Sequence, residues 1–403
     1  MKLSAINVHV CRNLDFIVAS IVFVCLILIC FNRGIILSPD SQIFNRWADI
    51  LLAENFNIVA YLGKNNYVSP PVFYLIPILL IAVFKLFLGD FWHQGFFVAN
   101  LIFLGLAIFI LVCLLRRAHV RMHLIVLILP LILLTDFQLW PSYILSDMLF
   151  SFLLILNIYL LSRCIYRSYL GAAIMFVSLT FLCFARPSGP ISLILIGSSL
   201  VILYTLGLRS VIRLLFPSIA IIVVLTSLIF GCFFHGILEI SEYGFYEFIG
   251  ENEQLSFLAS YVKDGVVVVG RPDTSIEMDL SVIEIGKLFL LRFLYFFMPI
   301  ASTYSTIHNL ANLLLISIFC VATCLWIYLT YHKSLFMKLS SDLCQLMYIC
   351  SFIIFGLAWF HGWIFIDWDW RYRFPTILPM LILFATAVEQ LLRTFSIGDN
   401  SNE

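Results

Sequence analysis

Ten predominantly apolar stretches, most close to twenty residues long, follow one another along this chain. In water such stretches would have to be wrapped by a polar surface, and a soluble domain carries about 25% charged residues for that purpose. Here 63% of the 403 residues are hydrophobic and only 11% are charged, so lipid must be the solvent for most of the molecule. A bilayer core offers the backbone no hydrogen-bonding water, which leaves the helix as the fold for apolar spans of about 20 residues. The expected fold class is therefore an all-α polytopic membrane protein with about ten transmembrane helices and outer-face juxtamembrane helices.

The predicted spans are Leu14–Leu37, Gly95–Leu115, His123–Phe137, Tyr143–Leu161, Tyr169–Ala185, Ile191–Leu208, Val211–Phe234, Ile307–Tyr331, Leu343–Phe365 and Phe374–Leu392. Of these, His123–Phe137 is short for a span. Two more apolar stretches, Pro71–Leu88 and Ile285–Ile300, fit an interfacial helix as well as a span. Charge asymmetry decides between those readings, because Lys and Arg concentrate in cytoplasmic loops. With Pro71–Leu88 on the surface, the cytoplasmic side collects 12 of the 23 cations and 5 of the 23 acids, a balance of +7 against −7 outside. With Pro71–Leu88 as a span, Arg116, Arg117, Arg121 and most later basic loops would face outward. The first arrangement is the expected one, with both termini cytoplasmic. It makes residues 1–403 a single transmembrane domain, with outer loops at 38–94 and 235–306. Lys2 and Arg12 before the apolar run Phe16–Phe31 resemble a signal peptide, but Asn32-Arg33 follows in place of small residues, so an uncleaved first span is expected.

Several chemistries find no support. The 11 cysteines form no Cys-x-x-Cys pair, and eight of them lie within apolar stretches as small hydrophobes. The eight histidines show no metal-ligand spacing, and no phosphate loop is present. Asp367-Trp-Asp369 matches a short metal-binding pattern only weakly. No cofactor is expected, a divalent metal is not indicated, and a net charge of zero argues against a nucleic-acid partner.

Ionisable groups at the edge of a membrane are costly and mark candidate sites. The expected topology places Asp40, Asp147, Arg186, Arg371 and Arg373 on the outer face, although they are far apart in sequence. A carboxylate can take the proton of an acceptor hydroxyl. Arginines can hold a phosphate with two parallel hydrogen bonds and stabilise its developing charge. Trp140, Tyr143, Trp363, Trp368 and Trp370 suit packing against sugar faces. The same residues have plainer readings. Asp40 and Asp147 could cap helices, the arginines could bind lipid head groups, and the tryptophans could form an interfacial belt.

Five segments carry a family resemblance: Ser38-Pro-Asp40 after the first span, Pro70-Pro71-Val-Phe-Tyr74 with Leu86-Phe-Leu-Gly89, Ser146-Asp147, Arg186-Pro187, and Arg371-Tyr-Arg373-Phe-Pro375 leading to Leu378-Pro379. The chain resembles the GT-C superfamily of integral membrane glycosyltransferases, especially bacterial relatives of protein mannosyltransferases and of lipid A aminoarabinose transferases. The resemblance implies an inner-membrane enzyme with its site facing the periplasm and a polyprenyl-phosphate sugar donor. Asp40 is then the expected base and Asp147 a second acid. Arg186, Arg371, Arg373, Lys85 and Tyr74 are the expected substrate and phosphate partners. Where many relatives carry a second adjacent acid, Ser41 follows Asp40. Only eleven residues follow Leu392 where many relatives have a soluble domain, which favours a glycan or lipid-linked saccharide as acceptor. An O-antigen-type polymerase and a lipid-linked sugar flippase stay open as alternatives.

Overall fold

Apolar side chains dominate the outside of the helices as well as the inside. Along α1 (Leu14–Arg33), Ala19, Val22, Leu26 and Cys30 turn inward, while Ile17, Ile21, Val24, Leu28 and Phe31 form an exposed stripe on the other side. Leu28 and Phe31 are more than 60% exposed, which water would not tolerate along an entire helix but acyl chains would. The computed structural model describes residues 13–63, 71–162, 168–205, 260–279, 281–301, 304–331, 341–364, 366–367 and 371–399. Within these, five helices are long and apolar enough to cross a membrane, or six if one bent pair counts as a span. The chain is thus an all-helical membrane protein. The predicted span Val211–Phe234 lies outside the described residues.

After α1 the chain runs through α2 (Pro39–Ala53), the short α3 (Ile58–Gly63), α4 (Leu75–Leu88) and α5 (Trp92–Arg117). The apolar segment from Val72 to Arg117 is not one rod. Gly89 adopts φ +58°, a conformation disfavoured for residues with a Cβ, and ends α4. Beyond the turn, Gly95 packs against Phe84 and Leu88, so α4 folds back on α5. Lys85 of α4 pairs with Asp49 of α2, which ties these two helices into a flanking hairpin.

The short predicted span His123–Phe137 takes a different form. Regular helix persists only over α6 (Met122–Ile128), tightens to 3₁₀ over Leu129–Leu134, and bends by 58° before Asp136–Ser142. Pro130 removes a backbone donor inside the segment. At the break, extended Thr135 donates its hydroxyl to Ile132 O at 2.7 Å. Tyr143, expected to begin the next span, is also extended and bridges to Ile36, so α7 (Asp147–Ser162) starts four residues later.

The other predicted spans fall on α8 (Tyr169–Cys183), α9 (Gly189–Thr205), α11 (Thr306–Tyr331), α12 (Ser341–Ile364) and α13 (Ile377–Asp399) to within a few residues, except that α13 continues to Asp399, and α8 and α9, at 15 and 17 residues, are shorter than the helices long enough to cross a membrane. The ambiguous Ile285–Ile300 falls on α10 (Val282–Tyr295). Residues 260–279 form a stitched loop beside α10. Arg292 of α10 donates to Val266 O at 2.6 and 2.9 Å, and Val262, Val267 and Val268 pack on Ile285, Leu288 and Phe289. Burial pushes the Arg292 guanidinium down to about 9, still charged at neutral pH. Strand β1 (Val268–Val269) pairs in parallel with β2 (Ile366–Asp367) between α12 and α13.

Polar side chains gather at two opposite ends of the bundle. At one end Arg116 embraces Asp15 with two bonds of 2.5 Å, and Arg121 and Arg393 share Glu389. The other end lies beyond the 16 residues of α7, about 24 Å away by helical rise.

Candidate functional site

That second end is assembled from four connections between helices. After α1 stops at Gly34, the extended segment at Ile36 bonds to Ser142 O at 2.9 Å and receives a bond from Ile144 N, which pins it beside the approach to α7. Ser38 then caps α2, with Pro39 at the first helical position. The Ser38 hydroxyl accepts from Ser41 N–H at 3.2 Å, and the Ser41 hydroxyl accepts from Ser38 N–H at 3.0 Å. The two serines complete the cap between them, so the Asp40 carboxylate is left for other partners. Ser41 serves here as the reciprocal half of the cap.

Asp147 is the first residue of α7, and its side chain is 1% exposed. Its two oxygens meet two arginines: Arg186 Nη1 at 2.5 Å and Arg371 Nε at 3.0 Å. Arg371 reaches onward through Nη1 to Asp40, whose side chain is 44% exposed. The result is a continuous chain of four charges running from buried Arg186, through Asp147 and Arg371, to a half-open carboxylate. Burial opposes the charge on Arg371, but Asp147, Tyr74 and Asp40 outweigh it and hold its pKa well above the usual range.

Local backbone geometry holds these residues. Arg186 lies in the turn between α8 and α9, closed by Gly189 N–H to Arg186 O at 2.8 Å. A Cβ at Gly189 would sit 2.3 Å from Leu182 O and 2.4 Å from Cys183 O, so only glycine fits this turn. Arg371 begins the turn into α13 and lies over the Trp140 ring at 6.0 Å, while Arg186 lies over Tyr372 at 5.1 Å. The Nε1–H of Trp140 and the hydroxyl of Ser146 are buried and, among the described residues, have no hydrogen-bond partner. Tyr74 packs on Phe44 at 4.8 Å and lies within electrostatic reach of all four charges.

Asp40, Asp147, Arg186, Arg371 and Tyr74 therefore come together, whereas the other two candidate residues do not join them. Arg373 turns toward Met298 O at 3.0 Å and Asn312 Oδ1 at 2.7 Å. Burial lowers its pKa to about 10, with Asp136 and Tyr304 opposing the fall. Lys85 is held by Asp49 and by Asn45 O at 3.4 Å, nine residues or about 14 Å along α2 from Asp40. Among the aromatic candidates, Tyr143 lies 5.3 Å from Trp140, and Trp363 packs on Trp359 within α12. Trp368 and Trp370 lie outside the described residues, as does Asp369 of the Asp-x-Asp pattern.

A second polar group had no counterpart in the sequence reading. Asp136, at the bend after α6, meets His308 Nε2 of α11 at 3.1 Å, and Tyr304 stacks on His308 at 4.3 Å. A lone acid closing the apolar run before Phe137 was the available signal, but its partner lies 172 positions away, the difference between 308 and 136. His361, stacked on Tyr372 at 4.3 Å behind Arg186, was equally invisible. Among the described residues, no three His, Cys, Asp or Glu side chains gather where they could hold a metal ion. No family model, curated protein or solved structure matches this chain.

Proposed function

We propose that this protein is an integral membrane glycosyltransferase that moves a sugar from a polyprenyl-phosphate donor to a glycan or lipid-linked saccharide at the outer face of the inner membrane. The observation that carries this reading is the asymmetry of the four-charge chain. It ends in one accessible carboxylate, Asp40, beside an arginine whose far side is anchored by buried Asp147. Buried ion pairs contribute little net stability, and ionisable groups at membrane depth are expensive, so such an arrangement is best explained by chemistry.

In the proposed reaction the acceptor hydroxyl gives its proton to Asp40. Its oxygen forms a bond to the anomeric carbon from the side opposite the phosphate. The bond from that carbon to the phosphate oxygen breaks, and the electron pair leaves with the polyprenyl phosphate, whose charge Arg371 and Arg186 stabilise. One displacement of this kind inverts the anomeric centre. Trp140 N–H and the Ser146 hydroxyl, buried without partners, are ready to bond sugar or phosphate oxygens. Ten spans with cytoplasmic termini complete the proposal. The basic cluster of Arg116, Arg117, Arg121 and Arg393 supports that orientation.

Incorporation of radiolabelled sugar from synthetic polyprenyl-phosphate donors into envelope glycans tests the reading. Asp40→Asn should lower transfer by about 10²–10⁴-fold while the protein still elutes as a folded species. Undiminished transfer by that variant would remove Asp40 as base, and no transfer by the wild type from any monophosphate donor would reject the reaction class.

A further inference from the structure

The four charges at the proposed site cancel: two carboxylates meet two guanidiniums. A neutral cluster exerts little net pull on an approaching phosphate, so a further cation beside Arg371 and Arg186, one not already balanced by a close acid, would strengthen its capture. Arg271 has that property. Its side chain is only 8% exposed, and among the described residues its buried Nε has no hydrogen-bond partner and its one ionic contact is Asp273 at 3.6 Å, beyond hydrogen-bond length. Asp273 is itself 59% exposed and therefore well hydrated. Arginine carries five donors, and a buried guanidinium N–H without a hydrogen bond is costly and rare in a folded protein.

The surrounding backbone is well fixed. Gly270 takes φ +77°. The carbonyl of Arg271 accepts from the Thr274 hydroxyl at 2.7 Å and from Thr274 N–H at 3.0 Å, and Arg271 N–H bonds to Val268 O at 3.1 Å. Two residues before β1, Val266 O receives the Arg292 clasp. The turn is thus held by its own bonds, and the Arg271 head group takes no part in holding it. The β1–β2 pairing sets Val268 opposite Ile366. It places the turn carrying Arg271 alongside the strand that leads to Arg371, at the same end of the bundle as Asp40.

We propose that Arg271 is a phosphate-binding residue, holding the phosphoryl group of a lipid-linked saccharide at the rim of the site. The identification of the ligand as substrate rests on the transferase reading, whereas the affinity for a phosphate does not. Planar, two-pronged recognition of a phosphoryl oxyanion would satisfy the Nε–H that the fold leaves without a partner.

The test uses the full-length protein in detergent, with affinities measured for farnesyl phosphate, a short-chain phosphatidylglycerol and inorganic phosphate. Arg271→Gln should weaken farnesyl phosphate by about tenfold, and Arg271→Lys should weaken it less. Asp273→Asn, on an exposed side chain that leaves folding intact, should tighten it several-fold by removing the competing acid. Loss for farnesyl phosphate alone supports a substrate site. Equal loss for both lipids supports a phosphate site occupied by bilayer head groups. Unchanged affinity for all three probes in both Arg271→Gln and Asp273→Asn would overturn the proposal. If the transferase reading were wrong, the sugar-transfer assay would be silent while these affinities still responded. If only the Arg271 assignment were wrong, transfer would proceed and the affinities would not move.

Discussion

Asp40 and Asp147 are chemically identical but held very differently. Asp147 is sealed from solvent between Arg186 and Arg371, whereas Asp40 meets one arginine and remains half open. Removing one partner of a buried ion pair leaves an uncompensated charge, at a cost of about 3–5 kcal/mol. Removing one partner of a half-exposed pair costs roughly 0–1 kcal/mol. Asp147→Asn should therefore lower the thermal unfolding temperature in detergent sharply, while Asp40→Asn should leave it nearly unchanged and abolish transfer. Similar unfolding temperatures for the two variants would show that Asp147 is not the structural anchor of the cluster. The capping serines matter for the same reason. Because Ser38 and Ser41 satisfy each other, Asp40 is not held at its own helix terminus.

At the scale of elements, the site depends on connections between helices more than on helix surfaces. The α8–α9 turn presents Arg186 only because Gly189 can approach the carbonyls of Leu182 and Cys183. Backbone atoms cannot give way as a flexible side chain can, so Gly189→Ala should destabilise the protein by about 1–3 kcal/mol. It should also lower transfer, since the turn must open and carry Arg186 away from Asp147. Thermal unfolding and transfer measured together on this variant check both effects, and wild-type values for each would contradict this role of the turn. The bend between α6 and Asp136–Ser142 has a comparable effect. Where a straight span would continue its ladder, Pro130 and Thr135 break it, and the chain after the break delivers Trp140 to Arg371 and Asp136 to His308.

For the whole molecule, polar groups are sorted to the two ends of the bundle, and the proposed orientation makes the Asp40 end the outer one. Tyr169, 99% exposed at the start of α8, and Ile283, 74% exposed in α10, lie toward opposite ends. Single cysteines at these positions, in a chain stripped of its native cysteines, should label differently with a membrane-impermeant maleimide. Position 283 should react in intact cells and position 169 only after permeabilisation. The reverse pattern would invert the topology and turn the proposed site toward the cytoplasm.

Membrane residence and most helix positions were readable from the chain itself. A span is a local property: about twenty apolar residues suffice for one, whatever the rest of the molecule does. The exceptions were equally physical. Pro130 and extended Thr135 broke one expected helix, and Tyr143, expected to begin the next span, is extended so that α7 starts at Asp147. The residues at the second end were visible as candidates, because charge is conspicuous against an apolar background. Their pairing was not. Arg371 joins Asp40 across 331 positions and Asp147 across 224, while Arg373, two residues on, turns to Asn312. Lys85 and Arg271 show the same limit, the first committed to Asp49 and the second left nearly unpartnered. Burial and pairing belong to the packed bundle, because they depend on which helix ends meet, and no stretch of sequence carries that information alone.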